Sequence, residues 1–113
     1  MATDPRTMEV LLELLDPLPL ETKRMFGEYA VYLGGKVVAF VTDDVFSLKV
    51  TELTDERLTP DLLGPAYPGS KPYWRIPADL LEDREWATHL IEQTAALLPL
   101  PKPKLPGGKA RKA

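Results

Sequence analysis

The only histidine, His89, is the first residue whose chemistry could support catalysis or metal binding. It lies in a predicted helix with Glu85 four residues before it and Glu92 three residues after it, so these side chains share one face. That face is opposite the apolar stripe of the same helix, which includes Trp86 and Leu90. Proton transfer, in contrast, requires a pocket with converging partners. A zinc site needs three or four ligands, and the chain has no cysteine. We therefore interpret His89 as solvent-exposed and predict no catalytic residue, no metal site and no cofactor.

Two pairs of adjacent acids, Asp43-Asp44 and Asp55-Glu56, are the other candidates for catalysis. General acid–base chemistry requires carboxylates that converge, but adjacent residues of a strand point to opposite faces. We interpret the first pair as a turn and the second as the cap of a short helix.

Basic and aromatic residues are better candidates, and they favour a recognition surface. An arginine beside an aromatic ring can anchor a partner protein or stack on bases, although tyrosine and tryptophan also pack at the edge of a core. A glycine inside an apolar run indicates a bulge or a close backbone approach. The candidate binding residues are Arg24, Gly27, Lys49, Tyr67, Tyr73, Trp74 and Arg75.

Helices are predicted at both ends of the chain. Asp4-Pro5 is typical of a helix start, and a second, short helix is expected near residues 54–58. The last helix is predicted over residues 79–98, with an interruption near Asp83. The apolar residues of the first helix that recur at helical spacing are Met8, Leu11, Leu12 and Leu15.

Strands are predicted between the helices. Residues 24–33, 36–42 and 45–50 indicate an antiparallel meander whose turns are Gly34-Gly35 and Asp43-Asp44. Further short strands are expected around Ala66-Tyr67 and over residues 72–76. The first two strands are apolar on both faces, so both faces need cover, and a second subunit could supply some of it.

Length and composition predict one soluble domain. The chain has 113 residues with 44% hydrophobic and 27% charged residues, and no apolar run approaches the roughly 20 residues that span a bilayer. The absence of cysteine fits a reducing compartment, and the N-terminus lacks the pattern of a signal peptide, so we expect a cytoplasmic protein.

Residues 99–113 hold five basic residues and no acid, and their prolines and glycines predict a disordered tail. Residues 1–98 keep nine basic against seventeen acidic residues, which argues against a nucleic-acid surface on the folded part.

Three motifs in order resemble the TfoX/Sxy amino-terminal-domain family. They are Arg24-Met25-Phe26-Gly27-Glu28-Tyr29-Ala30-Val31-Tyr32, then Gly35-Lys36 followed by Phe40, Asp44 and Phe46-Ser47-Leu48-Lys49, and then Tyr73-Trp74-Arg75-Ile76-Pro77 before an acidic helix.

The resemblance implies an α+β single domain over residues 1–98, with an antiparallel sheet and the order α-β-β-β-α-β-β-α. Competence regulators of that family carry a further helical C-terminal domain, so we expect a single-domain member lacking it. The resemblance supplies no catalytic residues.

The predicted function is therefore that of a non-catalytic regulatory or protein-interaction domain, with a protein partner or a second copy as its ligand. The alternative is a nucleic-acid-associated protein that uses the basic tail for phosphates and Tyr73-Trp74-Arg75 for stacking. We expect no membrane association, and the sequence indicates no known small-molecule substrate.

Overall fold

The structure, a computed structural model, describes residues 3–99. The predicted disordered tail lies outside the described residues, apart from Pro99. The described residues form an α+β domain, which confirms the predicted fold class. The elements are α1 (Pro5–Leu14), β1 (Glu21–Met25), β2 (Glu28–Leu33), β3 (Lys36–Thr42), β4 (Val45–Leu48), a 3-10 helix (Pro60–Leu62), β5 (Leu63–Pro65), β6 (Pro72–Ile76), α2 (Ala78–Leu81) and α3 (Arg84–Leu97).

The six strands form one antiparallel sheet in the order β1-β2-β3-β4-β6-β5. Two-residue turns join the first four strands, and both residues of each turn have positive φ. Such turns match the right-handed twist of paired strands, so they produce tight hairpins. The three turns are Phe26-Gly27, Gly34-Gly35 and Asp43-Asp44.

The first of these turns corrects the prediction of one strand over residues 24–33. The chain reverses at Phe26-Gly27, so β1 and β2 are separate strands and the meander has four strands instead of three. Gly27 has φ +82°, and it is the second residue of a turn; the interpretation of Gly27 as a bulge is wrong. The hairpin was not predicted because phenylalanine occupies the first turn position, where asparagine or aspartate before glycine is the usual signal.

The core lies between one face of the sheet, which we call the helix face, and the helices. Residues opposite each other on paired strands share a face, and Val31, Ala39 and Leu48 form one such row. These side chains are buried in the same cluster as Leu90 and Ile91 of α3 and Leu11 of α1.

Capping residues fix the helix starts, at Asp4 as predicted and at Asp83, where the sequence predicted only an interruption of the helix. The Asp4 carboxylate accepts the N–H of Arg6 (2.9 Å) at the start of α1, and the Asp83 carboxylate accepts the N–H of Trp86 (3.3 Å) at the start of α3. The predicted buried stripe of α1 needs one correction, since Leu12 is 37% exposed while Leu14 packs against the core. The helix expected near residues 54–58 does not form. The 3-10 helix lies a few residues later, over Pro60–Leu62.

The second face of the sheet, which we call the loop face, is covered by residues 66–71, the loop that follows β5 in the same chain. Ala30, Phe40, Ser47 and Arg75 form one row on this face. Ala30 and Ser47 are fully buried, and Tyr73 is also buried. Both faces of the meander are thus covered, as expected, but much of the cover comes from within the chain, so the apolar faces no longer argue for the second subunit that could have supplied some of it.

Candidate functional site

The β1–β2 turn holds an aromatic side chain in full contact with solvent. Phe26 has a relative exposure of 103% and a φ of +52°. A bulky residue rarely adopts this left-handed conformation, because its Cβ crowds the neighbouring carbonyl. Neither folding nor solubility accounts for an aromatic ring here, so the ring points to a function outside the folded core.

A groove of about 410 Å³ lies between this turn and the loop that follows β5. The floor is Phe40 of β3, whose ring makes edge-on contacts with Tyr67 (centroids 6.0 Å apart) and Tyr73 (5.8 Å). Thr42 holds the loop in place by donating its hydroxyl to the carbonyl of Ala66. The residues that line the groove are Met25, Phe26, Glu28, Tyr29, Phe40, Thr42 and Tyr67.

A second cavity of about 360 Å³ continues the groove toward β6 and shares Glu28, Thr42 and Tyr67 with it. Its far wall is Arg75, whose Cδ would lie 2.8 Å from a Cβ added to Gly64. The stem of Arg75 therefore lies across β5, and glycine at position 64 leaves room for it.

Hydrogen bonds from the N-terminal segment fix the rim of the groove. The Thr3 hydroxyl lies 2.6 Å from the Glu28 carboxylate, and the Thr3 N–H donates to the carbonyl of Gly27 (3.1 Å). The N–H of Asp43 also donates to Glu28 (3.2 Å). This network connects the β1–β2 hairpin to the β3–β4 turn. The hairpin that holds the exposed Phe26 is therefore fixed by hydrogen bonds to neighbouring segments.

Two lysines lie at the other end of the loop face. Because Leu48 pairs with Trp74, the next residue, Lys49, is level with Tyr73. Burial, and then the charge of Lys71, lowers the pKa of Lys49, while burial and then Tyr67 raise the pKa of Tyr73. Within residues 3–99 the one side-chain ion pair is between residues 57 and 83, so neither lysine is paired with a described carboxylate.

The structure brings four of the seven candidate binding residues together on the loop face. Tyr67, Tyr73, Arg75 and Lys49 share that face, and Gly27 lies in the turn beside the groove. Two candidates lie elsewhere. Trp74 is on the helix face against the core, and Arg24 is on the outer strand in the row of Tyr29.

Of the seven residues that line the groove, the sequence interpretation included Tyr67 and missed the other six, among them Phe26 and Phe40. Phe26 was assigned to the interior of a strand, so its exposure was not expected. The alternation of residues along β6 was a usable signal that Tyr73 and Trp74 point in opposite directions.

His89 and the first acid pair are placed as expected, whereas Asp55-Glu56 caps no helix, because the helix expected near residues 54–58 does not form. His89 is exposed on α3, and Asp43-Asp44 forms a turn. In the described part of the chain, no three His, Asp or Glu side chains come close enough to hold a metal ion. None of the helices in residues 3–99 has the length and apolar character needed to cross a bilayer.

The fold defines a small α+β domain built on a six-stranded antiparallel sheet, and comparison with known proteins gives its family. The TfoX N-terminal domain model matches residues 12–97. A protein of Spirochaeta aurantia, described as an uncharacterized 12.7 kDa protein in the trpE 5′ region, is 39% identical over 105 residues, which cover 92% of this chain and 90% of the relative. The chain therefore belongs to the TfoX N-terminal domain family, as its motifs predicted; this is not a known enzyme family.

Proposed function

We propose that this protein is a non-catalytic protein-interaction domain with a regulatory role, and that its loop face binds a protein segment carrying apolar side chains and a carboxylate. The observation that carries the proposal is Phe26, a fully exposed aromatic ring held in a left-handed turn. Asparagine or glycine would suit this turn better, so the ring is explained by a partner that buries it.

The rest of the loop face supplies the features that such a partner would use. Tyr67 is 49% exposed and, with Phe40, offers aromatic surface beside Phe26. Exposed apolar surface next to aromatic anchors is typical of the centre of a protein interface. Lys49 and Lys71 repel each other, and a carboxylate from the partner would relieve that repulsion.

Nucleic-acid binding is less well supported. Residues 1–98 carry a clear excess of acids, which repels phosphates. Stacking of bases on adjacent Tyr73 and Trp74 would also require both rings on one surface, whereas they point to opposite faces of the sheet. We further propose that the domain acts in the cytoplasm, since a chain without cysteine suits a reducing compartment.

A comparison of the wild-type chain with Phe26→Asn tests the proposal. Both proteins are immobilised at equal density and exposed to nuclease-treated extract of the native cell. Proteins enriched on the wild type are identified by mass spectrometry, purified and titrated against both chains. We expect Phe26→Asn to weaken the affinity about tenfold or more, because a buried aromatic side chain contributes roughly 1.5–3 kcal/mol.

Leu97→Asn is the matched control, because Leu97 is an exposed apolar residue on α3, away from the loop face. It should leave the affinity within about twofold of wild type. Equal affinity of the wild type and Phe26→Asn would contradict the proposal. Untreated extract is run in parallel, and retention from untreated extract that is absent from nuclease-treated extract would favour the nucleic-acid alternative instead.

A further inference from the structure

The two edges of the sheet differ in how well they are protected from another strand. At one edge, β5 has three residues and contains Pro65, which cannot donate a backbone hydrogen bond. At the other edge, β1 has five residues, none of them proline, and four of the five are exposed. Among the described residues, β1 pairs on one side with β2 and has no strand on its other side. The edge formed by β1 is therefore open to a further strand.

The hairpin turn determines which backbone groups of β1 face this open edge. In a two-residue hairpin, the residues that flank the turn exchange both hydrogen bonds, and here these are Met25 and Glu28. Alternation then directs the N–H and C=O of Lys23 and Glu21 toward β2 as well. The corresponding groups of Thr22 and Arg24 point outward. The β2–β3 hairpin is consistent with this assignment. Leu33 and Lys36 flank its turn, so the backbone groups of Leu33 and of every second residue before it in β2 point toward β3, and those of the residues between them point toward β1.

When two copies of β1 pair antiparallel, the outward-facing N–H and C=O groups of one copy must bond to those of the other. This requirement leaves few possible registers. Centring the pair on Glu21 places two glutamates opposite each other, and centring it on Lys23 places two lysines opposite each other. Centring it on Thr22 places each Glu21 opposite Lys23 of the partner subunit. Both residues lie on the loop face, and opposite residues outside the hydrogen-bonded pairs have the closest side chains.

We propose that two copies of this chain associate through an antiparallel pair of β1 strands, with a two-fold axis at Thr22 and two ion pairs between Glu21 and Lys23 of the partner subunit. The backbone supplies about four hydrogen bonds, two at Thr22 and one from each Arg24 N–H to the carbonyl of Leu20 of the partner subunit. The N–H of Leu20 is not available, because it already donates to Leu18.

The resulting assembly has one continuous sheet with both loop faces on the same side. An interface of this size belongs to the weak class, so we expect a reversible dimer. Two grooves on one side would let a partner with two binding segments engage both at once, which raises its apparent affinity. This dimer goes beyond the proposed function and uses different residues, so either idea can fail without the other.

Charge reversal at the two positions tests the register by sedimentation equilibrium of the full chain at concentrations up to about 1 mM. Glu21→Lys gives β1 two positive charges at these positions, and Lys23→Glu gives it two negative charges. We expect each single variant to dimerise at least about tenfold more weakly than wild type, because two attractive pairs become repulsive. The double variant E21K/K23E restores the complementary pattern and should return to within about threefold of wild type.

An equimolar mixture of the two single variants provides the sharpest observation. Each variant alone should dimerise only weakly, but the mixture pairs unlike charges in the proposed register and should form a heterodimer as strong as the wild-type dimer. This result cannot arise from failed folding. Glu92→Lys, an exposed charge reversal on α3, is the control and should leave dimerisation unchanged. A wild type that stays monomeric at 1 mM, or single variants that dimerise like wild type, would overturn the proposal.

Discussion

Phe26 combines an unfavourable backbone conformation with an exposed ring, and both features lead to a prediction about stability. Phe26→Asn places Asn-Gly in the turn, the pair that suits positive φ at both positions. The variant loses no buried surface, because Phe26 is fully exposed in the wild type. We expect its free energy of unfolding to rise by about 1 kcal/mol in urea denaturation followed by circular dichroism. A decrease of similar size would mean that the ring stabilises the fold and would remove the argument for a partner.

Ser47 is a buried polar residue that the sheet accommodates without a hydrogen bond. Its side chain is fully buried in the row of Phe40 and Arg75, and its hydroxyl has no hydrogen-bond partner among residues 3–99. Burying an unpaired hydroxyl is unfavourable, and alanine removes it without adding volume. We expect Ser47→Ala to raise the free energy of unfolding by about 1 kcal/mol, measured by the same denaturation. Destabilisation by Ser47→Ala would show that the hydroxyl contributes a favourable interaction.

Asp44 connects two elements, the β3–β4 turn and the first turn of α1. Its carboxylate accepts the N–H of Asp4 (2.9 Å) and the hydroxyl of Thr7 (2.8 Å). These bonds, that of Asp4 first, hold the pKa of Asp44 below its ordinary value of 3.8. A carboxylate with a lowered pKa in the folded state stabilises the fold above its unfolded pKa, and this contribution disappears as the pH falls through the folded value.

The pH dependence of Asp44→Asn follows from that connection. At pH 7 the variant should be less stable than wild type, because it loses the charge that strengthens both bonds. The difference should shrink as the pH falls from about 3.8, where wild-type Asp44 begins to lose its advantage. Urea denaturation at several pH values measures it, with Asp43→Asn as the matched loss of one charge in the same turn. A stability difference that is constant from pH 7 to pH 2 would contradict this account.

At the scale of elements, the sequence predicted most of the fold because the relevant signals are local. The Asp4 cap, the Gly34-Gly35 turn and the break at Asp83 each depend on neighbouring residues, and all three are confirmed. The β1–β2 hairpin was missed because Phe26 replaces the residue that normally marks such a turn. The cover of the loop face was missed for a different reason, since residues 66–71 lie there through contacts distant in sequence.

At the scale of the whole molecule, the two faces of the sheet differ in what they leave exposed. The helix face buries its apolar rows under α1 and α3, which accounts for the stability of the domain. The loop face is covered by a short segment and keeps Phe26, Tyr67 and a lysine pair at its surface. Composition could not distinguish the two faces, because both are apolar in sequence. Which segment covers each face depends on the order of the strands in the sheet.

Titration of the isotopically labelled chain with the purified partner, followed by backbone amide chemical shifts, tests the central claim most directly. If the loop face is the binding surface, the largest shifts occur around Phe26, Phe40 and Tyr67, while the amides of α1 and α3 change little. The same titration of Phe26→Asn should give weaker shifts at the same positions. Shifts concentrated on the helices, or equal in both proteins, would contradict the claim that this domain works by burying Phe26 in a partner.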